Sequence, residues 1–134
     1  MRILITGSRQ WTDQTRLETE IFKAVAQAHG EAFMGYRIPV TFVHGACPLG
    51  ADQMASDYIT KIQAVNEPGR IYHEKHPADW EKHGKSAGLI RNAEMVKLGA
   101  DLCIAFIVPG RSRGTEHTVR LARTAGIEVC AVIA

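Results

Sequence analysis

Residues 101–123 read DLCIAFIV, then PGRSRGT, then EHTVRLAR, and no other stretch constrains the fold as tightly. Asp101–Val108 is a near-continuous apolar run, the pattern of a parallel strand buried on both faces. Pro109–Thr115 is a turn punctuated by Pro and Gly that carries Arg111 and Arg113. Thr115 is placed to cap a helix whose Val119, Ala122 and Ala125 fall at helical spacing. A strand, a glycine turn and a helix start, in that order, aim unpaired backbone N–H groups and the positive helix end at one point, which suits an anion. Planar guanidinium groups add a two-pronged grip on phosphate. Gly110, Arg111, Arg113, Gly114 and Thr115 are therefore expected to form half of a phosphate site.

The other half is expected at Gly7-Ser8-Arg9, directly after a first strand at Arg2–Thr6. This turn has a single glycine, so by itself it fits a phosphate loop or a plain tight turn. A helix from about Gln14 to His29 follows, with Leu17, Ile21, Ala24, Val25 and Ala28 on its apolar face. Gly30–Pro39 is read as a connector and Val40–His44 as the second strand, which runs into the turn Gly45–Asp52. Met54, Ala55, Tyr58, Ile59 and Ile62 mark the next helix face. Asp52 lies in its first turn, favoured there by the helix dipole or by a ligand hydroxyl.

Glu67-Pro68-Gly69 breaks the chain, and the polar alternation of Ile71–Lys75 suits an edge strand. In the loop His76–Trp80, Trp80 reads as a cap over the core, or as a platform on which a base stacks. Lys82 and Lys85 precede a helix at about Ser86–Leu98 that carries Arg91 and Asn92 and is expected to bury Leu89, Ile90, Ala93 and Val96. Gly88 in its early turns points to close helix packing or to close approach of a ligand. Gly99 ends that helix, and Ile127–Ile133 is the last strand.

Strand and helix patterns alternate throughout, which predicts about five parallel strands with helices on both faces. With strand order 3-2-1-4-5, the order reverses between the first and fourth strands, where ligands bind such sheets. Those two strands are followed by the two turns, so both halves of the site converge on one crevice. The 134 residues fit a single domain, and 46% apolar content excludes disorder. A net charge of +2 does not demand nucleic acid or an acidic membrane. No apolar run is long enough to span a membrane, and MRILITG reads as a strand rather than a signal peptide. Cys47, Cys103 and Cys130 lack metal-ligand spacing and are expected to be reduced and buried in a cytoplasmic protein. The six histidines are scattered, with no ligand pair, so neither a metal nor another cofactor is expected. For His44 and His117 a hydrogen-bonded structural role is expected.

Five segments together resemble the SLOG superfamily, named for the Smf/DprA DNA-processing proteins and the lonely-guy phosphoribohydrolases, and within it the YspA-like, YpsA-related branch. They are Ile5–Arg9, Val43–Asp52, His76–Trp80, Gly84–Met95 and Pro109–Thr115, in the family's order and spanning nearly the whole chain. The resemblance implies a Rossmann-like three-layer fold that binds a nucleotide or nucleotide-derived ligand at the crevice. Relatives carry a compact Pro-Gly-Gly-x-Gly-Thr turn; here Arg111-Ser112-Arg113 makes it longer and more cationic. In the lonely-guy enzymes a glutamate three residues beyond the threonine is catalytic, and Thr118 stands at that position. Arg91 matches those enzymes' arginine, and Glu94, Glu116 or Asp52 could stand in for the glutamate if the fold points one of them at the sugar.

Three functions follow as expectations. The first is a nucleotide-binding module or sensor using Gly7, Ser8, Arg9, Gly45, Asp52 and Lys85, together with Arg91, Asn92 and the Gly110–Thr115 turn. The second is cleavage of a nucleoside monophosphate N-glycosidic bond, with Arg91 and Glu116 as catalytic residues. The third, ranked lowest, is single-stranded nucleic-acid binding along Arg9, Lys82, Lys85, Arg111 and Arg113, with Trp11 or Trp80 stacking on bases. Relatives often pair through helices flanking the crevice, so a homodimer is expected.

Overall fold

A computed structural model describes residues 1–30 and 38–134. Residues 31–37 of the connector expected at 30–39 lie outside the described residues. In chain order the elements are β1 (Arg2–Gly7), α1 (Gln14–Gly30), β2 (Val40–His44), α2 (Gly50–Val65) and β3 (Ile71–Lys75). They continue with α3 (Trp80–His83), α4 (Ala87–Leu98), β4 (Leu102–Ile107), α5 (Arg113–Thr124) and β5 (Glu128–Ile133). The strands form one sheet of order β3-β2-β1-β4-β5, every neighbouring pair parallel. This is the expected α/β Rossmann-like fold, with β1 beside both β2 and β4: Leu4 pairs with Val43 on one side and Cys103 on the other.

Alternation along β1 sorts the core into two layers. Ile3 and Ile5 point to the face that Leu17, Ile21 and Ala28 of α1 and Ala55 and Ile59 of α2 cover. Leu4 points to the other face, with Met95 and Val96 of α4 and Ala122 of α5. Each such aliphatic side chain, removed from water, contributes roughly 1.5–3 kcal/mol, so the central strands anchor the domain. The edge strands are less covered. β3 buries only Ile71 fully, and β5 only Val132. Cys130 on β5 is accordingly half-buried, and so is Cys47 on its turn, whereas burial of Cys103 pushes its thiol up to about 12.

Two helices differ from expectation. α4 buries Ala87, Asn92, Met95 and Val96, while Leu89 and Ala93 face outward and Ile90 is half-buried. It packs through Met95 and Val96, which turns Gly88, Arg91, Asn92 and Met95, a set at i, i+3, i+4 and i+7 spacing, toward the strand ends. α5 begins earlier than the sequence suggests, with Ser112 and not Thr115 as its N-cap. The Ser112 hydroxyl accepts from Val108 N–H at 2.8 Å and donates to Val108 C=O at 2.9 Å, closing the turn before Thr115 is reached.

The β1 turn and the start of α2 interlock. A Cβ on Gly7 would overlap Ala51 Cβ, and one on Gly50, whose φ is +63°, would overlap the Ser8 and Arg9 backbone. Gly114, by contrast, sits in the first turn of α5 with open space around its Cβ position. Gly7→Ala is expected to cost about 2–3 kcal/mol by overpacking, whereas Gly114→Ala is expected to be neutral or to stabilise by up to about 1 kcal/mol. Urea denaturation of both variants checks this; equal losses would contradict the interlock.

Candidate functional site

Ser8 is where the site starts, because every polar group it has joins two turns. Its N–H donates to Phe106 C=O at the end of β4 at 2.9 Å, and its C=O accepts from Ala51 N–H of α2 at 3.1 Å. Its hydroxyl donates to Arg111 C=O at 2.6 Å and accepts from Gln10 N–H at 3.0 Å. The ends of β1 and β4 are thus bonded to each other and to the mouth of α2. Above them opens a cavity of about 420 Å³, within the range of roughly 300–1,000 Å³ of small-ligand sites.

One part of this cavity is cationic. Arg9, Arg111, Arg113 and Lys85 line it and are exposed, and among the described residues none of the four makes an ion pair. The first helical hydrogen bond of α5 runs from Glu116 N–H to Ser112 C=O at 2.8 Å. The N–H groups of Arg113, Gly114 and Thr115 therefore stand at the helix mouth without intrahelical partners, at the positive end of the dipole.

Arg91 is a different kind of arginine. Its Nη1 donates to the carbonyls of Gly45 and His76, the latter at 3.3 Å, and its Nε donates to Asn92 Oδ1 at 2.7 Å. It ties the turn after β2 and the loop after β3 to α4. A Cβ on Gly45 would overlap its guanidinium, so the glycine is what admits it. Burial pulls Arg91 below its ordinary value, while the charge of Asp52 opposes that shift.

Asp52 is the buried carboxylate of the cavity. It accepts from Cys47 N–H at 3.2 Å, and burial pushes it up to about 6, against the pull of that bond and of the Arg91 charge. Nearby, Ala46 holds the left-handed φ of 55°, a conformation that costs a non-glycine residue roughly 1 kcal/mol. Its N–H donates to His44 Nδ1 at 2.9 Å, which leaves the His44 proton on Nε2, facing His73 Nε2. Burial, then the neighbouring His73, lowers His44 to about 3, so it stays neutral in its expected structural role.

The structure brings together Gly7, Ser8 and Arg9 from the turn after β1 and Gly45 and Asp52 from the turn after β2 and the start of α2. To these it adds Lys85, Arg91 and Asn92 from the approach to α4 and its inner face, and Arg111, Arg113, Gly114 and Thr115 from the last turn. Gly110 and Glu116 are not part of the lining. Gly110, at φ +73°, shapes the turn from outside. Glu116 lies in the first turn of α5 on its outer, exposed side, because Thr115, Thr118, Val119 and Ala122 define the buried side. At the position where the lonely-guy enzymes have their glutamate, Thr118 is fully buried and donates to Gly114 C=O at 3.0 Å. Among the described residues the carboxylate lining the cavity is Asp52.

Trp80 does not cap the core: at 50% exposure it lines the cavity beside Leu89, at 47%. Trp11 is 2% exposed, packs on Phe106 with ring centroids 5.2 Å apart, and donates its indole N–H to Asp13 C=O at 2.9 Å, so it offers no stacking surface. Lys82 lies outside the lining. Cys47, Gln10 and Ser112 also line the cavity; their motifs flank it in sequence, but only the interlock of turns aims them inward. Among the described residues no three His, Cys, Asp or Glu side chains form a metal-binding group, and no helix is long and apolar enough to cross a membrane.

A parallel sheet of this order, with its two central strands ending in bonded turns over a cation-lined crevice, defines the Rossmann-like α/β class. The chain belongs to the YspA, cpYpsA-related SLOG family (YAcAr), whose sequence model matches residues 1–83, from β1 through α3. It is 43% identical over 128 residues to the Gene 61 protein of Mycobacterium phage D29, covering 96% of this chain and 93% of that relative. No solved structure matches.

Two measurements check this geometry. Ser8→Ala leaves Arg111 C=O and Gln10 N–H without their partner and is expected to cost about 1–3 kcal/mol in denaturant unfolding. Asp52 holds its proton more tightly folded than unfolded, so its stabilising effect is complete below its ordinary value of 3.8 and is lost as pH rises through about 6. His44 acts in the opposite sense, losing stability as pH falls from 6.5 toward 3. Asp52→Asn, compared with the parent at each pH, isolates the carboxylate: the variant should gain on the parent by about 2 kcal/mol between pH 4 and 7. A difference that stays flat across that range would refute the burial effect.

Proposed function

We propose that this cavity binds a small phosphorylated ligand of nucleotide type and that the protein is a binding or sensing module. The reading is carried by one observation: Arg9, Arg111 and Arg113, free of ion pairs among the described residues, gather with the unpartnered N–H groups of the α5 start. Such a cluster of like charge is unfavourable until an anion joins it, and a phosphate matches both the forked guanidinium groups and the helix mouth. Membership of the SLOG family supports the same reading.

A second reading, N-glycosidic cleavage, keeps one specific support. Asp52 is a buried carboxylate with its pKa raised to about 6, and the cavity is where a sugar would have to sit. Glu116 has no such place. If purified protein releases free base from nucleoside monophosphates, Asp52→Asn is expected to abolish the release and Glu116→Ala to leave it; the reverse pattern would exclude Asp52.

The binding reading is tested by thermal shift with nucleoside monophosphates and diphosphates. At a ligand concentration of about 100 times Kd the fold gains about 2.7 kcal/mol, a rise of several degrees in Tm. Arg111→Ala/Arg113→Ala should erase that rise, while Arg120→Ala, exposed on α5 outside the cavity, should preserve it. A double variant that responds like the parent would overturn the assignment.

A further inference from the structure

We infer that Trp80 and Leu89 form the base-recognising end of this cavity, making it selective for a nucleotide over a sugar phosphate or free phosphate. The inference rests on the reading of the cationic end as an anion site and adds which part of the ligand lies where.

The topology sets the order of groups across the cavity. Trp80 follows β3, with Lys85 and Arg91 further along the same segment, Asp52 and Gly45 follow β2, Ser8 and Arg9 follow β1, and the Arg111–Thr115 segment follows β4. These strands are consecutive neighbours in the sheet. β3 and β4 are three strand spacings apart, roughly 14 Å. That is the scale of a nucleoside monophosphate laid along the strand ends, and more than a lone phosphate fills. Read along that line, the chemistry runs from an aromatic and aliphatic surface, through a buried carboxylate that accepts from hydroxyls, to guanidinium groups and helix N–H groups. A base, a ribose and a phosphate present the complementary series in the same order.

Trp80 is built to hold its place. Asp79 caps its short helix by accepting from Lys82 N–H at 3.1 Å, and His83 N–H donates to Asp79 C=O at 3.0 Å. The loop before it is fixed by His76, whose N–H donates to His44 C=O at 2.9 Å and whose C=O is held by Arg91. The six-membered ring of the indole lies against α4 at Gly88, where a Cβ would sit 3.5 Å from it. The missing side chain leaves the ring backed by helix backbone while half its surface is open. Leu89, one residue on in α4, lines the same cavity and is 47% exposed. Large apolar side chains left open beside an uncompensated cationic cluster, in one cavity, call for a ligand that is planar and apolar at one end and anionic at the other. Base-on-aromatic stacking is tolerant of which base is bound, so this end selects for a base as such.

The test is titration of adenosine monophosphate, ribose 5-phosphate and inorganic phosphate into the parent, Trp80→Ala and Trp80→Phe proteins by calorimetry, with tryptophan emission as a second readout. Adenosine monophosphate is expected to bind the parent about 5- to 100-fold more tightly than ribose 5-phosphate. Trp80→Ala should bring the two to near-equal affinity by weakening adenosine monophosphate alone, and Trp80→Phe should keep most of the preference. Adenosine monophosphate should quench emission in the parent and not in Trp80→Phe, where the buried Trp11 is the remaining fluorophore. Equal affinities in the parent, or a preference that survives Trp80→Ala, would overturn the base assignment while leaving the anion site standing. If none of the three ligands binds, the anion reading falls and the base assignment with it.

Discussion

Everything in the site hangs on Ser8. A residue of its size would be expected to offer its hydroxyl to a ligand, and here it instead bonds the end of β1 to the turn after β4. Its backbone does the same toward Phe106 and Ala51. Because the residue is buried, these bonds are made away from competing water, where an unmade partner is costly. The geometry of the crevice is thereby set before any ligand arrives. The glycines on either side of the interlock, Gly7 and Gly50, are present because backbone and Ala51 occupy the places their side chains would need.

Charge is distributed around that knot in two ways. Arg91 is turned inward and satisfied by two carbonyls and Asn92, so it braces two loops against α4. Arg9, Arg111 and Arg113 are open to solvent and face the crevice without acidic partners among the described residues. Between them Asp52 is held in a buried position where its own ionisation is disfavoured. A carboxylate reluctant to ionise gives the unpaired cations around it less compensating charge. The left-handed Ala46, with its N–H on His44, is a small strain in the same turn, and strain of this sort collects where a binding surface has to be shaped.

β1 and β3 carry a second polar arrangement, away from the cavity lining. Hydrogen bonds from Arg2, then from His76, hold Glu74 down at about 2, keeping it ionised. Arg2 also donates to Gly99 C=O at 3.2 Å, where α4 ends. This links the first strand, the edge strand and the C-terminus of α4. The loop that presents Trp80 begins one residue beyond Lys75, so the placement of the indole depends on how firmly this edge strand is held.

Alternating apolar patterns and the turns at strand ends were enough to read the sheet order, the parallel pairing and the convergence of Gly7–Arg9 with the Arg111–Thr115 turn, because these follow from period and chain connectivity. Most of the cavity's lining was legible for the same reason. What needed the tertiary structure was rotation. Spacing says which residues share a helix face, but packing against other elements decides where that face points. Met95 and Val96 in the core turn Asn92 inward and Leu89 out to the mouth, and the early start of α5 at Arg113 carries Glu116 away from the crevice. Whether Ser8 meets a ligand or a neighbouring turn, and whether Trp80 covers the core or faces the cavity, depend on contacts between residues distant in sequence, which no local pattern encodes.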